Sequence, residues 1–200
     1  YQTAIQGLVV ESTYNWYWLV DGLMEAGYLV QFANTAAIKQ YEGLKHTNDR
    51  SDARWLPQLL RLGILPTGYI YPKEERAVRD LLRKQSQLVR QKTSNLLSIQ
   101  NLVTRNTGTA LSGHRIKTLT EDEVREVLPI AELALAVTST LTVMRCVGEQ
   151  IVALEQVIKA QVALRPAFRH LLTVAGIGHV LALTIMLEAG EMRRFPSVGH

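Results

Sequence analysis

Residues 7–34 read GLVVESTYNWYWLVDGLMEAGYLVQFAN, and this stretch decides the fold class. GLVVEST, 7–13, is a short apolar run ending in a carboxylate and hydroxyls, as expected of a buried parallel strand that runs into a loop. Behind it Trp16, Leu19, Val20, Leu23 and Met24 recur at three- and four-residue intervals, which predicts a helix, with Gly27 at the C-terminal cap. YLVQFAN, 28–34, reads as a second short strand. Strand, helix and strand at this spacing predict a βαβ unit whose two strands are neighbouring and parallel.

Working outward, TAAIKQYEG at 35–43 reads as a short helix. Thr47 or Asn48 is placed to cap a helix from about Asp49 to about Gly63. Pro57 lies inside it and is expected to kink or split it, because proline lacks the N–H that the preceding turn needs. ILPTGYIYP, 64–72, is an extended connector.

The character changes at 73. Val78, Leu81, Leu88, Ile99 and Leu102 fall on a heptad frame, with Leu82, Val89, Leu96 and Val103 beside it. Gln85, Lys92 and Asn95 are polar positions on that frame and suggest a loose or register-setting seam. NTGTALSGH, 106–114, is a turn-rich link, and Thr120 with Glu123 has the capping-box spacing. Pro129 is expected as the first residue of a long helix. Ile130, Leu133, Val137, Leu141, Met144, Val147, Ile151, Leu154, Ile158 and Val162 continue a heptad along it. Two long heptad helices joined by a linker predict an antiparallel helical hairpin, able also to pair with another chain. RPAFRHLLTVAGIGHVLALTIMLEAG, 165–190, reads as helix, tight turn, helix, with Gly176 and Gly178 flanking Ile177. The expected division is therefore 1–72 as a partial α/β domain, 73–163 as the hairpin, and 164–200 as the start of a third, helical piece.

Bulk properties narrow the function classes. The 200 residues are 47% hydrophobic and 20% charged, an ordinary globular composition, not a disordered one. A net charge of +4 favours a polyanionic partner weakly. One cysteine, Cys146, rules out an internal disulfide and fits a reducing, cytoplasmic setting. The longest apolar run, VLALTIML at 180–187, falls far short of the roughly 20 residues of a membrane span, so no membrane partner is expected. The first residue, Tyr1, and the last segment, FPSVGH, read as the ends of an internal piece of a longer protein.

Three carboxylates stand out. Glu11 closes an apolar strand, and in parallel α/β sheets ligands sit at that edge. Asp49 and Asp52, three apart, share one helix face. Carboxylate oxygens are hard ligands suited to Mg²⁺ or Mn²⁺, and two such ions would serve phosphodiester chemistry. The plainer reading is also open: acids in a first helical turn favour the helix dipole, and a strand-end glutamate can bind a backbone amide. Lys45, Arg50 and Arg54 are positioned to hold phosphates, or to balance these acids. His46 reads as a loop residue. Residues 73–105 carry Lys73, Arg76, Arg79, Arg83, Lys84, Arg90, Lys92 and Arg105 against Glu74, Glu75 and Asp80. That charge suits a phosphate backbone, or else forms a solvated helix surface. The AGIG turn with Gly176 and Gly178 resembles a helix-hairpin-helix turn, where glycines let the backbone approach a phosphate; a plain tight turn is the alternative. Cys146 reads as packing, and Ser197 has no base near it in sequence.

VVESTYNWYWLVDGLMEAGY, NTAAIKQYEGLKHTNDRSDARWLPQLLRLG and GYIYPKEERAVRDLLRKQSQLVRQKTS together closely resemble the DEDD transposases of the one-ten class of bacterial insertion sequences. LLTVAGIGHVLALTIMLEAGEMRRFPS resembles the start of that family's C-terminal transposase domain. The resemblance implies a RuvC-like, RNase H-type fold for the first part, with an Asp, Glu, Asp, Asp catalytic set. Glu11 matches the Glu, and Asp49 and Asp52 match the last two acids. The first Asp belongs on an earlier strand, and a serine of the C-terminal domain belongs downstream of FPS; neither is in the sequence. It further implies Mg²⁺ or Mn²⁺, DNA as partner, a structured guide RNA in some members, and a hairpin used in oligomer assembly and nucleic-acid contact. With two residues of the family's set missing, these 200 residues alone are expected to be inactive. Two other readings stay open: a RuvC-like nuclease such as a junction resolvase, and a non-catalytic nucleic-acid-binding coiled-coil scaffold.

Overall fold

The structure, a computed structural model, describes residues 5–12, 14–38, 49–163, 165–190 and 195; the side chains of 49–52 lie outside the description. The chain divides into two compact units, 1–73 and 74–200.

In the first unit β1 (Leu8–Glu11) and β2 (Val30–Ala33) pair in parallel, with Leu8 opposite Val30 and Glu11 opposite Ala33. The connection is α1 (Tyr17–Glu25), so the βαβ unit forms as the spacing predicts. Helix α1 ends in a Schellman motif. Gly27 adopts φ 86° and its N–H bonds to Met24 O, while Tyr28 N–H bonds to Leu23 O.

Pleating splits the unit's apolar residues between two faces. Val10, Val30 and Phe32 pack with Val20 and Trp16 on the α1 side. Val9 and Ala33 pack with Leu56 and Leu59 of α2 (Asp49–Arg61) on the other. The outer edge of β2 is covered by the connector. Asn34 N–H bonds to Pro66 O and Gly68 N–H to Phe32 O. A Cβ at Gly68 would lie 2.9 Å from the Phe32 ring, so that approach requires glycine.

Helix α2 continues through Pro57, so it is not split there. The lost hydrogen bond is outweighed by packing on both sides of it: Leu56 is 8% and Leu59 1% exposed. The expected helix over 35–43 is described only to Ile38, as a single tight turn; its remainder, and the Thr47 or Asn48 cap, lie outside the described residues.

The second unit is helical. The long helices are α3 (Lys73–Thr107), whose first residue belongs to the first unit, and α6 (Ala131–Val162). Between them lie α4 (Gly113–Thr118) and α5 (Glu121–Val127). Ser112 caps α4, and the Thr120–Glu123 capping box opens α5. Pro129 precedes the long helix and does not begin it: α6 starts at Ala131 after Ile130 as N-cap. Proline disfavours the helical conformation in the residue before it. Leu128 accordingly turns extended, φ −128°, and α5 stops there.

Ile99 and Val103 of α3 share a core with Val137, Leu141 and Met144 of α6 and with α4 and α5. At the opposite end, Val78 and Leu82 of α3 share a second core with Ile158 and Val162 of α6. Numbers rise along one helix as they fall along the other, so the two run antiparallel. Helices α7 (Pro166–Leu172) and α8 (His179–Ala189) complete the second core through Phe168, Ala182, Leu183 and Leu187.

The polar frame positions fall between these cores. Gln85 is buried and donates to Glu155 Oε1 at 3.0 Å, and Lys92 Nζ fills the space beside Gly148. Ile130, expected on the heptad seam, is 58% exposed, and Ala134 packs one turn later in its place. By length and composition α6 could cross a bilayer, which contiguous-run reading missed because Thr, Ser and Gly interrupt its apolar residues. Here one stripe of α6 forms core from Ala134 to Val162.

Candidate functional site

Glu11 is the last residue of β1, and Val9, Glu11 and Ala33 share the face of the sheet that α2 covers. Its carboxylate is half-buried. Among the described residues it has no hydrogen bond or ion pair. One residue further on, Ser12 Oγ and Thr35 Oγ1 lie 3.1 Å apart, tying the two strand ends together just beyond the ladder.

The direction of α2 follows from its contacts. A Cβ at Gly7 would meet Leu60 at 3.7 Å, while Val9, two residues on, packs with Leu56 and Leu59. Moving along β1 toward Glu11 therefore moves back along α2 toward its first turn. That turn begins at Asp49. Asp49, Asp52, Leu56 and Leu59 recur at 3–4–3 spacing, one stripe of a helix. The backbone thus sets the N-terminus of α2 toward the same sheet edge as Glu11.

Hard oxygen donors of this kind suit Mg²⁺ or Mn²⁺ in chemistry. The described residues contain no group of three or more His, Cys, Asp or Glu side chains able to hold a metal; the Asp49 and Asp52 side chains are not among them.

The predicted phosphate contacts are dispersed. Arg54 is exposed on α2; Lys45, His46 and the Arg50 side chain lie outside the described residues. On α3 the cations differ sharply. Arg76 is only 6% exposed. Arg79 and Arg83 both hold Glu188 of α8, with N···O distances of 2.9 and 2.7 Å. These guanidiniums keep the Glu188 carboxyl below the usual carboxylate range. Lys73 pairs with Glu25, Lys84 bonds to Gln87, Lys92 lies along α6, and Arg90 and Arg105 are exposed.

Gly176, at φ 87°, is the third residue of a turn closed by Ile177 N–H to Val174 O at 3.0 Å, a conformation that favours glycine. Gly178 is the N-cap of α8 with ordinary φ, and open space surrounds both glycines. Ser197 lies outside the described residues, and Cys146 is exposed on α6, against the expected packing role.

Sequence reading overlooked Glu188 and the Ser12–Thr35 pair. For Glu188 there was a signal: a lone acid at the end of the apolar stretch VLALTIMLEAG requires a partner once α8 packs.

No curated protein matches the chain. The family model of IS110 DEDD transposases, described as Transposase, matches residues 2–106, which span β1 through nearly all of α3 and include Glu11, Asp49 and Asp52. The chain therefore belongs to the IS110-class transposase family, whose members act on DNA by cutting and rejoining it.

Proposed function

We propose that this transposase uses a RuvC-like, RNase H-type site in which Glu11, Asp49 and Asp52 supply three of four acids and bind Mg²⁺ or Mn²⁺. When bound, the metal supplies charge stabilisation and activation of an oxygen nucleophile in phosphodiester cleavage. The observation that carries the reading is the half-buried Glu11 carboxylate, without a partner among the described residues, at the sheet edge toward which the first turn of α2 runs. A purely structural strand-end glutamate would be expected to hold an amide or a cation.

In this proposal Glu11 orients the site from a rigid strand end. Asp49 and Asp52 complete it from the first helical turn, where the helix dipole favours their ionised form. Lys45, Arg50 and Arg54 lie close enough in sequence to neutralise the phosphates of a bound strand. Of the cations expected on α3, the exposed Arg83, Lys84 and Arg90 form its nucleic-acid face, while Arg76, Arg79 and Lys92 are turned to the protein; Gly176 and Gly178 give a second backbone contact. The three-part division 1–72, 73–163 and 164–200 follows the family's RuvC-like domain, coiled-coil hairpin and C-terminal transposase domain. Assembly of copies through the hairpin, RNA guidance from the element and action in the cytoplasm belong to the same reading. A non-catalytic scaffold has one supporting observation, the extent of the helical unit, and predicts no metal dependence.

The test is strand exchange on the element's own end DNA, with flanking coding sequence included, in Mg²⁺ and with or without element RNA. Asp49→Ala and Asp52→Ala are each expected to abolish it. Wild-type levels in both variants would overturn the metal site in favour of a helix start with a solvated face.

A further inference from the structure

Two of the described aromatic residues are exposed, and both follow Glu11 closely in the chain. Tyr14 lies in the turn between β1 and α1 and is 100% exposed. Trp18 is the second residue of α1 and is 70% exposed. The other described aromatics are partly or fully covered. Trp16 meets the rings of Tyr17 and Phe32, and Tyr69 that of Tyr71. Neither Tyr14 nor Trp18 has a ring partner among the described residues.

Their place follows from the fold. Trp16, Val20 and Leu23 pack toward the sheet. Trp18 stands about 200° of helix rotation from both Trp16 and Val20, so it faces away from that core. Because α1 begins where β1 ends, both exposed rings lie at the carboxyl end of β1, the edge that holds Glu11. Toward the opposite edge the most exposed apolar residues are aliphatic: Leu29, before β2, at 64% and Leu62, after α2, at 56%.

Water-exposed aromatic faces suit stacking on bases, a contact open to any base because each has a π-face. Exchanging strands between duplexes takes bases out of their pairs at the point of exchange. We propose that Tyr14 and Trp18 form a stacking platform for unpaired bases of the DNA strand received at the Glu11 edge. DNA is the occupant because the family acts on it and the rings continue the edge proposed to cut it. The first turn of α1, which carries Trp18, also holds no acid to repel the strand's phosphates.

The inference rests on that edge being the DNA site, but stacking needs no metal. The measurement is therefore fluorescence anisotropy in EDTA, on the chain with its flanking coding sequence included. The probes are a labelled DNA duplex with a short single-stranded gap and the same duplex intact. Tyr14→Ala and Trp18→Ala should each weaken binding to the gapped DNA about 5-fold or more. Binding to the intact duplex should not change, since its bases are already stacked. The slope of log K against log salt should stay as in the wild type, because no phosphate contact is lost. Trp18→Phe should retain most of the affinity, whereas Trp18→Leu, apolar but not aromatic, should behave as Trp18→Ala.

Circular dichroism reports whether each variant is folded; should Trp18→Ala not be, the Phe and Leu pair at the same position gives the same readout. Gapped-DNA binding unchanged in the folded variants would overturn the inference. So would an equal loss on both DNAs, or a loss confined to single-stranded RNA of the same sequence. Full affinity in Trp18→Leu would make the patch an apolar surface for another protein or a second copy of the chain. A failed metal site leaves this binding difference untouched, and its absence leaves the Asp49 and Asp52 test untouched.

Discussion

The two units solve the burial problem differently. The first has a two-stranded sheet with a thin core on each face: Val20, Val30 and Phe32 on one, Ala33, Ile38, Leu56 and Leu59 on the other. Trp18, Met24, Leu29 and Leu62 stay at least half exposed. The second closes both ends of a long antiparallel helix pair with larger cores and locks one end with ion pairs, Arg79 and Arg83 to Glu188 and Arg165 to Glu75. In the first unit the Glu11 carboxylate, where a ladder ends, has no partner among the described residues; in the second, Glu188 and Glu75 are held by arginines. A half-buried acid that has no partner among the described residues is a candidate for work other than stability. The largest expected effect tests that contrast. With the flanking coding sequence included, Glu11→Ala should lower strand exchange about a thousand-fold or more, ~4 kcal/mol at 1.36 kcal/mol per tenfold. Its thermal midpoint should stay within the range of a neutral surface change, about 0.5 kcal/mol. A large fall in the midpoint would return Glu11 to a structural role.

Core truncations sharpen the difference between the units. Ile158 is fully buried where α3, α6, α7 and α8 meet, and Leu59 is 1% exposed under the sheet. Either residue changed to alanine should cost about 2–5 kcal/mol. Because the chain forms two units, Leu59→Ala should shift the unfolding of the first and Ile158→Ala that of the second, read by calorimetry as movement of different transitions. A single transition moved equally by both would show that the two unfold together. Leu135→Ala, at a position 67% exposed on α6, is the control and should fall within about 0.5 kcal/mol.

What was legible in the sequence follows from range. The βαβ unit was legible because alternation and 3–4 spacing are local, and the turn at Gly27 has a local cause. The frame positions Val137 to Val162 were legible for the same reason, and most of them are buried. Helix α4 was not: six residues carry no period, and its only signal was Ser112 three residues before Arg115. Pro57 does not split α2 because the rule for proline is local while Leu56 and Leu59 are held by the sheet. The α3 cations misled in a related way. Charge density suggested one exposed basic stripe, yet Arg76 is buried and Arg79 meets an acid 109 residues away. At the candidate site, Glu11 and its edge were readable from a strand ending in a carboxylate. That α2 runs back along β1, bringing its first turn to that edge, required the contacts of Gly7 and Val9.

Gly22 inside α1 and Gly27 just past its C-terminus give a smaller, paired effect. Gly27 has φ 86°, where any Cβ is strained, so Gly27→Ala should cost about 1–2 kcal/mol. Gly22 lies in the helix interior with open space around its Cβ position, so Gly22→Ala should stabilise by about 0.5–1 kcal/mol. Opposite signs in denaturant midpoints would confirm that α1 ends where the Schellman bonds put it; equal signs would break that assignment.

The smallest effect is an acid titration of the second unit. Glu188 is held below its ordinary value of 4.5, first by the Arg83 hydrogen bond. Glu123 is lowered first by the Thr120 N–H and then by Arg115. A carboxyl with a depressed folded-state pKa binds its proton more readily in the unfolded chain. Its stabilisation is complete above the unfolded pKa and is lost as pH falls through the folded one. The denaturation midpoint should therefore be flat near neutrality and decline below about pH 4.5. Glu188→Gln should make that decline shallower, and Glu123→Gln should do so independently, since the two sit in different cores' surroundings and share no partner. Both groups are open to water, so salt should shrink both contributions. If Glu188→Gln instead left the acid limb as steep as before, the arginine pair would not be drawing stability from that carboxylate, and the contrast between an unpaired Glu11 and a committed Glu188 would lose its second half.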